Sequence, residues 1–504
     1  MLQKLEFLGR RTRKFLVSNQ YNINGPSKDG PFSIFRIVFR FFLETLFQSA
    51  IILFMKKTSV NLLEGPILRA MIAFAIPIMI ANIFQQLYNT VDIMIVGRFL
   101  GEESLAAVGA TAAIFELVVG FALGIGNGMG IVIARYYGAG NYEKLKSAVA
   151  TMFVIGGVLS IVIAVLGNFT LYPLLKLLGT PSNIIDQSYE YSYLIVVFVG
   201  VTLAYNLCAG LLRAVGDSKA ALYFLIFSAI INTVLDIYFI AYLHMGVRSA
   251  GVATIISQGI SAVLCFNYIR RKTPFLIPTK KHFTWNKKLY SDLFSQGLAM
   301  GLMFSVVSIG TVILQTSINA LGPVIISAQT SARRIMMFSL LPVGSMSATI
   351  TTFTSQNFGA RQYRRIVEGL RKGALVTIIW SVFICITLFF ASPYLNELIT
   401  GSNDEELIYQ ASLYLKISSA FYPFLAILLV LRNALQGLGQ KMMPLVSSII
   451  EMLGKIFFVI FIIPSTGYLG VILVEPILWC IMAIQLYYAF RKEPVIRSLK
   501  KQSE

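Results

Sequence analysis

Asp92 is the first residue in this chain whose type and place could do chemistry. It sits in ANIFQQLYNTVDIMIVGRFLG, from Ala81 to Gly101, amid residues that otherwise suit a lipid environment. A second carboxylate, Asp236, sits in the equally apolar INTVLDIYFI. An ionisable residue inside a membrane helix costs roughly 3 kcal/mol on insertion scales, so each is a functional-site hypothesis by default. Two carboxylates facing one apolar cavity titrate as a coupled pair, and such a pair can take up and release a proton. The structural alternative is a carboxylate bonded to a neighbouring hydroxyl or amide.

Polar residues cluster around both positions. Asn232 lies one helical turn before Asp236 and can hydrogen-bond it. Gln85, Tyr88 and Asn89 line the turns before Asp92. Tyr205, Asn206, Thr254, Ser257 and Gln258 are further polar candidates from the same half of the chain. Ordinary interhelical hydrogen bonding is the competing explanation for each of these.

The second half carries a different set. Glu451 and Lys455 are spaced by four with the acid first, the better order for a helical ion pair. Lys416, Arg333, Arg334 and Glu475 also fall within apolar runs. Glu451 and Lys455 read as a self-neutralised pair that fixes packing. The sharper reading groups Glu451, Lys455, Lys416 and Arg334 as a charged pocket for a substrate less cationic than most drugs.

Helices must position these residues. The chain is 504 residues long, 56% hydrophobic and 13% charged, against about 25% charged in soluble domains. Apolar runs of about 20 residues recur along it and are broken by Gly and Pro, so an all-α polytopic membrane protein is expected rather than a barrel. Twelve spans are expected, at about 67–95, 104–134, 146–170, 190–212, 220–243, 249–269, 292–318, 323–354, 371–392, 409–434, 443–464 and 469–490.

The formal charge of +19 is concentrated on one side of this scheme. Arg270, Arg271, Lys272, Lys280, Lys281, Lys287 and Lys288 crowd the central loop. The opposite loops hold only Arg98, Lys176 and Arg248, and one of them is acidic around Asp404, Glu405 and Glu406. The positive-inside rule then puts both termini in the cytoplasm of a multi-pass plasma-membrane protein. It accounts for much of the charge without nucleic acid as a partner. HExxH and GxSxG motifs are absent, which argues against an intramembrane enzyme. Cys208, Cys265, Cys385 and Cys480 each fall inside an apolar run and read as buried hydrophobes. No metal or cofactor is expected, and His244 and His282 have no assigned role.

The two halves repeat. RYYGAGNYEKLKSA matches QNFGARQYRRIVEG, with Gly138 and Gly359 separated by 221 residues. LLRAVGDSKAALYF matches ALQGLGQKMMPLVS, with Gly216 and Gly439 separated by 223. An even number of spans per repeat makes the two six-helix units parallel, with a cavity between them and rocking as the means of transport. The same offset puts Lys455 where Asn232 sits. Expected boundaries are a basic, amphipathic extension over 1–57, an N-lobe over 58–270, a linker over 271–290, a C-lobe over 291–491 and a tail over 492–504. In the extension Arg36, Arg40 and Glu44 share one helical face. That suggests an interfacial helix or a poor extra span, or else a segment ahead of a native start at Met55.

The stretches PIMIANIFQQLYNTVDIMIVGRFLG, LAAVGATAAIFELVVGFALGIGNGMGIVIARYYGAGN and LLRAVGDSKAALYFLIFSAIINTVLDIYFI resemble multidrug and toxic compound extrusion (MATE) transporters. The resemblance runs from about Asn61 to Arg491. It implies two six-helix lobes in a V-shaped arrangement. It also implies export of amphipathic, mostly cationic drugs and toxins in exchange for protons or sodium. The chain looks like the DinF-like branch, whose two carboxylates match Asp92 and Asp236. Spans 7 and 10 lack the carboxylates of the NorM-like branch, so protons are expected ahead of sodium as the coupling ion. The family also gives Pro77 a role in bending the first helix. A monomer in the bilayer is expected. A flippase for lipid-linked oligosaccharide, from the same superfamily, is the alternative.

Overall fold

The computed structural model describes residues 59–402 and 404–497. The amphipathic extension expected over 1–57 lies outside them. Every regular element among the described residues is helical. The N-lobe contains α1 (Ile67–Leu100), α2 (Glu102–Gly138), α3 (Tyr142–Leu177), the bent pair α4a (Ile185–Val197) and α4b (Val199–Ala214), α5 (Ser218–Asp236) and α6 (Arg248–Lys272). The C-lobe repeats the order with α7 (Lys287–Ala320), α8 (Pro323–Gly359), α9 (Tyr363–Thr400), the bent pair α10a (Glu405–Ala420) and α10b (Tyr422–Gly437), α11 (Met442–Phe457) and α12 (Tyr468–Lys492). Counting each bent pair as one span gives twelve.

Two details depart from straight spans. The fourth and tenth are bent, by 50° and 53°. In the tenth, Pro423 opens the second half, where its missing N–H is harmless and the helix restarts. The fifth ends in a π-helical stretch, Ile237–Tyr242, and the eleventh carries one, Phe458–Ile462, before a last helical turn, Ile463–Thr466. Such turns collect at functional sites, and the first follows Asp236 directly.

Helix starts follow side-chain chemistry. Asn141, Asp217, Asn286 and Asp404 each accept a backbone N–H of the first turn. The outward faces are apolar: Ile161, Phe169, Phe390 and Phe461 are all exposed. Only a hydrocarbon surround makes that surface cheap, and helices satisfy their backbone groups internally there.

The lobes lock together at the end that carries the basic loops. Ser355 Oγ donates to the Ile131 carbonyl at 2.6 Å, and Gln356 Nε2 to the Ala214 carbonyl at 2.7 Å. Arg135 pairs with Asp292 at 3.4 Å, and Lys441 approaches the same carboxylate at 3.9 Å. At the centre of the seam a Cβ on Gly138 would run into the Gln356 carbonyl, and one on Gly359 into the Arg135 carbonyl. The contact is reciprocal, as the repeat requires.

Helix α1 belongs to both lobes. Its first half, with Met71 and Phe74, packs in a core with Ile350, Phe353, Leu370 and Leu438 of the C-lobe. Its last turns, with Ile95 and Val96, pack with Val108, Tyr191, Ile195 and Ile240 of the N-lobe. Pro77 lies between the two attachments, inside the helix and buried.

Candidate functional site

Helices α1 and α5 bring Asp92 and Asp236 face to face. Asp92 is 8% exposed and Asp236 fully buried. Among the described residues no base pairs with either carboxylate, and Asp92 Oδ1 and both Asp236 oxygens lack a donor. Two adjacent negative charges without a counter-ion in a low-dielectric site repel strongly.

A small hydrogen-bonded frame surrounds the pair. Thr254 Oγ1 on α6 takes the Asn232 amide at 3.2 Å and meets the Tyr88 hydroxyl at 3.3 Å. The expected bond from Asn232 to Asp236 is therefore replaced by one to Thr254, because the amide points across to α6 rather than along its own helix. Asn232 Oδ1 is left without a partner. Gln85 Nε2 donates to Asn89 Oδ1 at 3.2 Å, and Ser257 donates to the Thr254 carbonyl at 2.9 Å. Gln258 Oε1 is buried without a donor. Tyr191, on α4a, stands within electrostatic reach of both carboxylates and of Tyr88. Sequence reasoning missed it, since a tyrosine in an amphipathic stretch carries no signal of its own.

Tyr205 and Asn206 do not join this cluster. They line a central cavity of about 620 Å³ between the lobes, together with Gln85, Asn127, Arg213 and Asn82 from one side. Met303, Phe304, Arg432, Asn433 and Gln436 line it from the other. Among the described residues the wall holds two arginines and no carboxylate. Arg213 donates to Asn127 at 3.0 Å, and Asn206 donates to the Thr202 carbonyl of its own helix at 2.9 Å.

The C-lobe has an ion network instead of a bare acid pair. Lys455 is 1% exposed; its Nζ donates to Glu451 at 3.0 Å and to Thr311 at 3.3 Å, and lies 3.8 Å from Glu475. Arg333 donates to Glu475 at 2.7 Å, and the Tyr414 hydroxyl donates to its other oxygen at 3.3 Å. Arg432 stands 3.8 Å from Glu451. The pair Glu451–Lys455 is thus part of a larger network and not self-contained. Lys416 is not in it: its ammonium lies over the Phe389 ring at 5.6 Å. Arg334 is exposed and lines a second cavity. His282, left without a role by the sequence, is buried and bonds Glu143 at 3.2 Å, tying the linker to α3. Among the described residues no group of three His, Cys, Asp or Glu side chains is placed to hold a metal ion.

A duplicated bundle of twelve spans, with a cavity between lobes and a buried acid pair without a base in one of them, has the plan of a membrane transporter. The MatE family model matches it twice, over residues 77–238 and 299–461, and the chain belongs to that family. A probable multidrug resistance protein of Bacillus subtilis, YoeA, is 27% identical over 447 residues, covering 86% of this chain and 96% of that protein. A FAD transporter of Shewanella oneidensis is 24% identical over 451 residues, covering 86% of this chain and 97% of that protein. The crystal structure of MATE in the bent conformation superimposes with a TM-score of 0.81 at 25% identity, covering 89% of this chain and 99% of that one. The protein is therefore a multi-pass membrane transporter of a multidrug-efflux family.

Proposed function

We propose that the protein is a proton-coupled antiporter that exports amphipathic small molecules across the plasma membrane by alternating access. The observation that carries this is the facing pair Asp92 and Asp236, buried and without a base. The absence of carboxylates from α7 between Leu293 and Ala320, and from α10b, supports the DinF-like assignment. The basic loops at one end support cytoplasmic termini, and with them a state closed to the cytoplasm, since the lobes lock at that end. The cavity wall, with Arg213 and Arg432 and no acid, favours neutral or anionic amphiphiles over strongly cationic ones. A monomer suffices, because each chain supplies both lobes.

Sodium coupling is the second reading. Asp92, Asp236 and Asn232 present free oxygens of the kind that hard cations take. Transport by proteoliposomes under an imposed proton gradient, then under a sodium gradient at fixed pH, separates the two. Export driven by sodium alone would replace the proton assignment. Export of dyes and drugs is expected; movement of lipid-linked oligosaccharide alone would make the protein a flippase.

A further inference from the structure

A second cavity, of about 550 Å³, opens beside the central one and shares Asn82 and Gly344 with it. Its remaining wall comes from α7 and α8. Pocket volumes of about 300–1,000 Å³ suit small molecules. Three features set its chemistry.

The first is unbalanced charge. Arg333 and Arg334 line the cavity and, among the described residues, no carboxylate does. Arg333 spends one edge of its guanidinium on Glu475 and keeps donors to spare. Arg334 makes no hydrogen bond or ion pair among the described residues. Arg334 stands twelfth in α8, about 17 Å along the helix from its start, where a bare cation is costly and therefore suspect as a ligand-binding group.

The second is an unused donor. Gln329 is 2% exposed and lines the cavity. Its Oε1 accepts the Tyr468 hydroxyl at 2.8 Å, and its Nε2, in reach of the Tyr414 hydroxyl, makes no hydrogen bond of good geometry among the described residues. Gln329 and Arg333 are four residues apart and share a face. A buried amide N–H without an acceptor costs about 1–3 kcal/mol, which an incoming oxygen would recover.

The third is the apolar wall. Met336, Met337, Leu340 and Leu341 continue along α8 from the donor cluster. Methionine adapts to varied shapes and suits promiscuous surfaces.

We infer that this cavity is a binding site for an amphiphile with an anionic head, carboxylate or phosphate, held by Arg333, Arg334 and Gln329 with its tail along the methionine–leucine wall. The inference deepens the export reading by naming a cargo class, and it rests on that reading only for its physiological meaning. Guanidinium binds such oxygens in pairs, and the low dielectric strengthens each contact. The exposed Arg334 is the group that selects; Arg333 is held in place by Glu475.

The test is equilibrium binding, which needs no transport, so a failure of export and a failure of this site are told apart. The full chain in phosphatidylcholine nanodiscs is titrated with decyl phosphate, decanoate and decyltrimethylammonium. Both anions should bind about tenfold tighter than the cation, the gain of one charge-assisted contact. Arg334→Gln should shrink that preference and Arg334→Glu should shrink it further. Gln329→Leu should weaken the anions and spare the cation. Equal affinity for all three probes, or an unchanged preference in Arg334→Gln, overturns the site. A loss that falls equally on anions and cation in Arg334→Gln also overturns it, as a structural role would do. Discs containing phosphatidylglycerol identify the source: competition assigns the site to a lipid headgroup, undiminished binding to a soluble amphiphile, and both uphold an anion site.

Discussion

The two lobes share one plan of helices and hold opposite chemistry at its centre. In the N-lobe, Asp92 and Asp236 meet with no base beside them among the described residues. In the C-lobe, Lys455, in the repeat position of Asn232, draws Glu451 and Glu475 into a network with Arg333 and Arg432. An acid pair without a cation changes charge easily, because protonation relieves repulsion. Acids that already hold cations resist protonation, and losing one partner strands a buried charge. On the proposed function, the duplication separates a lobe that switches from a lobe that stays fixed.

The largest effect that could break this comparison is at Asp236. Asp236→Asn keeps shape and packing but holds the site as if protonated. Proton-driven export in proteoliposomes should fall to background while expression and thermal stability hold, because an amide avoids burying a charge. Wild-type export with an unchanged pH profile would sink the switching role.

Glu475→Gln should do the reverse. It leaves Arg333 and Lys455 with only Glu451 nearby, and removing one partner of a buried pair costs about 3–5 kcal/mol. The expected result is a large drop in the melting temperature of the detergent-solubilised protein. If stability were unchanged and only the pH profile of export moved, the C-lobe would be a second titrating centre and the contrast would be lost.

Where the lobes are alike, substitutions should cost alike. Gly138→Ala and Gly359→Ala each press a methyl group on a backbone carbonyl across the seam. Overpacking of this kind costs about 1–3 kcal/mol. Equal losses are expected from the two, with a double variant that falls short of their sum because they share one crossing. Clearly unequal losses would show that the seam is not symmetric.

The smallest effect is expected at Lys416. Removed from the network and resting on Phe389, it should yield to Gln with a stability change within about 1 kcal/mol. A loss as large as that of Glu475→Gln would return it to the charged centre.

Much of this was legible in the sequence. Apolar runs and turn residues located the spans, and the offset of 221 to 223 exposed the duplication. Asp92 and Asp236 stood out because ionisable residues are rare in such runs. Partners across the fold were not legible. Arg333 and Glu475 are separated by 142 residues, and nothing local says that they meet. Asn232 was expected to serve the carboxylate on its own helix; only the placement of α6 turns it to Thr254. Gly138 and Gly359 marked the repeat, but repetition does not reveal that each touches the other's neighbour. The π-helical stretches escaped because their residues, such as IYFIAY, read equally well as α-helix.

The glycine crossing has a mechanical consequence. With no side chain at the Gly138–Gly359 crossing of α2 and α8, their backbones meet there as a hinge pin meets its sleeve, and sliding at that point means collision. What remains is rotation about that point. Each helix is 37 residues, about 55 Å, long. A turn of about 10° at the seam therefore sweeps the far end through roughly 10 Å, the width of a helix. If the proposed proton site drives export, a small torque applied near Asp92 would act at the long end of this lever.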